Sequence, residues 1–133
     1  MTAAHPLDPA LTDRDHVAGR QLPTITDEFM HRRIADARAY TVALLLKTAR
    51  YDPSEHAAIV WEHGRRNMAL QADGVLMLVL PARDDSDWAG IGVFDASADE
   101  VSRTLDSDPG VQAGIFSYEI HPATGFPGSA FPA

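Results

Sequence analysis

The stretch VLMLVLPARDDSDWAGIGVFD, residues 75–95, decides the fold. Residues 75–81 are an unbroken apolar run and read as a strand. PARDDSD is a polar connection, and WAGIGVFD, residues 88–95, reads as the next strand. Just before this pair, Gly74 stops a long helical stretch. That helix starts near RYDPSEH, where Asp52 can cap, Pro53 takes the first helical position and Glu55 completes a capping-box-like pattern. Just after the pair, Ser97 and Glu100 form an S-x-x-E box for a short helix over 98–106, and Pro109 prevents its continuation. Two further strands flank the whole, YTVALLLKT at 40–48 and VQAGIFSYEIH at 111–121.

The order is β-α-β-β-α-β, which predicts an α+β fold of the ferredoxin-like plan with an antiparallel sheet. Two helices cover one face of such a sheet. Yet VLMLVL and ALLL are apolar on both faces, and strands buried on both sides need cover on both sides. A second subunit, sheet against sheet, supplies that cover most simply, so the expectation is a homodimer of the dimeric α/β-barrel type. Three segments follow: an N-terminal arm and helix over 1–39, the ferredoxin-like domain over 40–122, and an irregular tail over 123–133. Within the first, residues up to about 25 read as an arm, and DEFMHRRIADARA, 27–39, reads as a helix. Its acidic residues lie in the first turn and its arginines further along, as the helix dipole prefers.

The 133 residues suit one domain, and 45% hydrophobic content supports a packed core. The chain has no cysteine, which excludes disulfides, thiolate catalysis and cysteine zinc sites. A net charge of -8 lacks the electrostatic footprint of a nucleic-acid binder. No apolar run approaches the roughly 20 residues of a membrane helix. The start of the chain has neither the basic nor the apolar region of a secretory signal. The expected setting is cytoplasmic, without nucleic acid or membrane. Lys47 is the sole lysine beside ten arginines, and with the Ala, Asp, Gly and Pro content this suggests a GC-rich bacterial genome.

The candidate chemistry centres on His63. On a helical wheel of about 100° per residue, Ala57, Val60, Trp61, Gly64, Met68 and Ala72 form the centre of the expected buried arc. His63 falls within that arc or at its margin, whereas Glu62, Arg66 and Asp73 lie opposite. A buried titratable group needs a partner. Asp108, in front of Pro109 after the short helix, is the candidate. The plain alternatives are a core histidine satisfied by a carbonyl and an aspartate serving only a turn. Tyr118, in the last strand, is a candidate hydrogen-bond donor to a substrate, or simply a packing residue. Arg83, in the polar connection, is a candidate for gripping a substrate carboxylate or phenolate, or a solvated loop arginine. The histidines show no H-E-x-x-H or H-x-H spacing, so no metal site is expected. No G-x-G-x-x-G, P-loop or G-x-S-x-G occurs, so neither nucleotide nor flavin nor acyl-enzyme serine is expected.

Taken together, residues 40–122 resemble the YCII-related family. The resemblance rests on the helix carrying His63, the ADG turn, the apolar strand ending at Pro81, and DSDPGVQAGIFSYEIHP, with Asp108, Pro109 and Gly114 its most specific part. Leu80 stands where relatives often have glycine. The resemblance implies a dimeric α/β barrel with a His–Asp pair in a pocket, here His63 and Asp108, and a cofactor-independent lyase or isomerase acting on a small aromatic or keto substrate. A non-catalytic small-molecule-binding or regulatory accessory protein and a cofactor-free monooxygenase are the competing readings on the same fold.

Overall fold

The computed structural model describes residues 16–133. The chain divides into two compact units, Met1–Ala37 and Arg38–Ala133. Residues 1–15 of the expected arm lie outside the described residues.

In the first unit, β1 (His16–Val17) and β2 (Arg20–Gln21) form a two-residue hairpin that the sequence reading did not anticipate. Its turn residues Ala18 and Gly19 both have positive φ, 55° and 75°. That is the backbone a two-residue hairpin loop demands, and glycine alone adopts it without strain. Helix α1 (Asp27–Ala35) follows, capped by Thr26, whose Oγ1 accepts from the Phe29 N–H at 3.1 Å. It ends four residues earlier than the sequence suggests, because the chain from Arg38 onward is strand.

The second unit has the expected order: β3 (Arg38–Lys47), α2 (Ala57–Asp73), β4 (Leu76–Pro81), β5 (Trp88–Phe94), α3 (Ala98–Asp106), α4 (Pro109–Gln112) and β6 (Phe116–Gly125). The sheet order is β4-β5-β3-β6 with every neighbour antiparallel, which is the ferredoxin-like topology. The fold class read from the sequence is the one observed. β4 and β6 are the edges, and each tolerates a proline, Pro81 and Pro122, because an edge strand has N–H positions that need no partner. β6 continues to Gly125, so the last strand extends three residues into the segment read as an irregular tail.

Along β3, Thr41, Ala43 and Leu45 are buried and alternate with Val42, Leu44 and Leu46 on the opposite face. Ala43 joins Leu76, Phe94, Val101 and Leu105 in one core cluster. Leu45 joins Ile115 and Phe116 in a second, against Tyr51, Ile59 and Val60. On the opposite face, Leu44 pairs with Ile91, and Ile91 with Leu80; Val42 pairs with Val93, and Val93 with Leu78. This second face is therefore apolar across three strands, whereas β6 brings Glu119 and His121 opposite Leu44 and Val42.

The roll of α2 departs from the wheel reading. Trp61 and Met68, expected at the centre of the buried arc, are 70% and 73% exposed. Arg66, expected on the solvent side, turns inward and donates from Nη1 to the Thr104 carbonyl at 2.7 Å. The exposed Glu62 pairs instead with Arg65, at 3.2 Å. The wheel carries two partly overlapping stripes, and burying the one through Ile59, Val60, His63 and Leu70 wins because its polar members find partners across the fold.

Candidate functional site

A cavity of about 360 Å³ lies between α2 and the helix-facing side of the sheet. Its wall is mainly apolar, with His63, Asn67, Tyr51 and Lys47 among its polar members. His63 reaches it from the middle of α2. Asp108 reaches His63 from behind, as the N-cap of the one-turn helix α4.

That turn was not anticipated, since Pro109 reads as a helix breaker. Proline breaks a helix interior but suits the first helical position, where no N–H is needed. Asp108 takes an extended conformation (φ -69°, ψ 135°), and its Oδ2 accepts from the N–H groups of Gly110 at 2.9 Å and Val111 at 3.3 Å. The cap leaves Oδ1 for His63, whose Nδ1 lies 2.8 Å away. Asp108 is 1% exposed and the His63 side chain 14%. Arg66 Nη1 stands 3.9 Å from the same Oδ1.

Burial alone would raise the Asp108 pKa. The hydrogen bond and charge of His63, with the Gly110 and Val111 N–H groups, outweigh it and hold the carboxyl below the ordinary carboxylate range. An ionised carboxylate only accepts, so Nδ1 carries the proton in the neutral ring. Nε2 is then the acceptor, and the Asn67 amide meets it at 3.2 Å. The imidazole also leans on Phe116, with centroids 5.0 Å apart at 56°. The ring is thus held on three sides, by Asp108, Asn67 and Phe116, at the wall of a largely apolar hollow.

Of the four residues singled out in the sequence, the fold brings two together, His63 and Asp108. Arg83 is exposed in the β4–β5 connection and does not line the cavity. Tyr118 faces the helices, but its hydroxyl donates to Asp106 Oδ1 at 2.6 Å and lies outside the cavity wall. That hydrogen bond holds its pKa above the ordinary tyrosine value. The exposed Leu80 does not line the cavity either.

Asn67, Arg66 and Lys47 were missed as site residues. The first two lie four and three positions after His63, the spacing of same-face neighbours, so a wheel centred on His63 would have found them. Lys47 carries no such local signal.

No family model matches the chain, and no curated protein sequence matches it. Among solved structures it is similar to the 5-chloro-2-hydroxyhydroquinone dehydrochlorinase of Burkholderia phenoliruptrix AC1100, solved in complex with 2,5-dihydroxybenzoquinone. That likeness has 20% identity and a TM-score of 0.49, over 62% of this chain and 90% of the other. It is also similar to a dimeric ferredoxin-like protein from an uncultured marine organism, with 12% identity and a TM-score of 0.36, over 72% of this chain and all (100%) of the other.

Proposed function

We propose that this chain is a cofactor-independent lyase or isomerase of the YCII-related type, moving a proton with His63 on a small aromatic or keto substrate. The observation that carries the reading is the 2.8 Å contact between His63 Nδ1 and a buried Asp108 carboxylate at the wall of a cavity. Asp108 fixes the tautomer and stabilises the imidazolium that forms. Nε2 takes a proton from an activated C–H or O–H, and can return it at a neighbouring atom or to a leaving group. Apolar walls exclude water and strengthen that exchange. The homodimer belongs to the same proposal, with the apolar face of Val42, Leu44, Ile91 and Val93 as its contact surface.

The test is deuterium wash-in, followed by NMR, from heavy water into a panel of enolisable keto acids and hydroxylated aromatics. Wild-type protein should accelerate exchange on at least one member, and His63→Ala should abolish it while circular dichroism stays native. Undiminished exchange in the variant removes His63 from the mechanism.

A second reading, a non-catalytic small-molecule binder, draws on Asn67. Its amide already occupies the lone pair of Nε2. In a binder that contact is permanent, and ligand binds without any exchange of its protons with solvent. In an enzyme the substrate displaces it.

A further inference from the structure

Two polar members of the cavity wall, Lys47 and His63, are linked by successive contacts through two aromatic rings. Lys47 ends β3 on the cavity wall. Its Nζ donates to the carbonyl of Ser86 at 2.9 Å and to that of Asp84 at 3.4 Å. The same ammonium stands 5.5 Å from the centre of the Tyr51 ring. Tyr51 stacks on Phe116 with centroids 5.6 Å apart at 29°. Phe116 in turn meets His63. Ammonium, two aromatic rings and imidazole form one continuous wall, and all four residues line the cavity.

An ammonium has three protons to donate. Two go to main-chain carbonyls, and the third has no partner among the described residues. Carbonyls are neutral, so they orient Lys47 without cancelling its charge. The Asp84 carboxylate also lines the cavity and interacts electrostatically with Lys47, but it makes no hydrogen bond to the ammonium. Its Oδ1 accepts from the Ser86 N–H at 3.2 Å, the Ser86 hydroxyl at 2.6 Å and the Trp88 indole at 3.2 Å. A partly buried cation whose own hydrogen bonds go to carbonyls, with a further donor beside an aromatic surface, is a recognition element for an anion carried on a flat ring.

We propose that Lys47, Tyr51 and Phe116 form a subsite for a small aromatic carboxylate, whose acid group takes the open Nζ donor and whose ring lies on the aromatic wall. The far end of that ring then meets Nε2 of His63. This last step rests on the proton-transfer reading of His63, whereas the anion subsite is tested by binding alone.

The probes are 4-hydroxybenzoate and its neutral counterpart 4-hydroxybenzamide, titrated calorimetrically into the full chain. The wild-type protein should bind the carboxylate about tenfold or more tightly than the amide, the range of one charge-assisted hydrogen bond. Lys47→Met should erase that preference and leave amide affinity unchanged, and Lys47→Arg should retain it. Equal affinities in the wild type, or no binding of either probe at millimolar concentration, overturns the proposal, and neither depends on a variant folding. A preference that survives Lys47→Met also overturns it. The same titration in His63→Ala separates the two readings: preserved preference with lost deuterium exchange supports both. Preserved preference with unchanged exchange retains the subsite and discards the base.

Discussion

His63 Nδ1 and Asp108 Oδ1 meet at 2.8 Å although 45 residues separate them in the chain. The contact joins the middle of one helix to the N-cap of another, so a single carboxylate serves as helix cap and imidazole partner at once. Its two oxygens divide the work, Oδ2 for the backbone and Oδ1 for the ring. That division makes the two roles separable by mutation.

Asp108→Asn keeps a side chain that can cap but loses the charge that fixes the imidazole. Deuterium exchange should fall by about two to four orders of magnitude, the usual scale of general acid–base assistance. Stability should fall less than in Asp108→Ala, which also loses the cap, typically worth about 1 kcal/mol. Urea denaturation of the two variants side by side checks the ranking. Acid titration provides a second readout. The folded Asp108 pKa lies below its unfolded value, so the carboxylate stabilises the fold above the unfolded value. That contribution is lost as pH falls from the ordinary carboxylate range, near 3.8, through the lower folded value. Asp108→Asn should flatten this part of the stability–pH curve.

Gly110→Ala should destabilise the fold although the backbone there is helical. A Cβ at this position would collide with the Phe116 ring, which supports His63. Overpacking of this kind costs about 1–3 kcal/mol. A lowered thermal midpoint together with weakened probe binding is the expected result. An unchanged midpoint would mean that Phe116 has room to move.

Trp61→Ser should change stability by no more than about 0.5 kcal/mol, because the indole is 70% exposed. Burial in the helix–sheet core, as the wheel suggests, would make the same substitution cost about 3–5 kcal/mol. Guanidinium denaturation discriminates between these outcomes by a wide margin.

Leu44→Glu tests the proposed homodimer. Leu44 lies on the helix-free face between Ile91 of β5 and Glu119 of β6. A charge there should convert the dimer to monomer in sedimentation velocity at micromolar concentration while leaving the helix-side core intact. A wild-type chain that sediments as a monomer under the same conditions ends the dimer proposal.

Much of this molecule is legible residue by residue. Gly74 ends α2 with φ 88°, Ser97 Oγ accepts from the Glu100 N–H at 3.2 Å, and α3 occupies 98–106, as the local signals require. The hairpin at 16–21 was invisible because Ala18 gives no turn signal where glycine or asparagine would. The helical turn after Asp108 was hidden because the same proline that ends one helix can begin another. Arg83 and Tyr118 were reasonable by residue type, but type does not say which wall of a cavity a side chain joins.

Sequence alone determined the strand and helix order, and hence the antiparallel ferredoxin-like plan. Periodicity, caps and breakers act over a few residues and need no knowledge of distant chain. Only the tertiary structure decided how α2 rolls. With two competing apolar stripes on one helix, the outcome depends on polar partners supplied from afar: Asp108 for His63 and the Thr104 carbonyl for Arg66. Buried polar groups must be satisfied, and that requirement, acting through space, turned Trp61 and Met68 to the surface and His63 to the cavity.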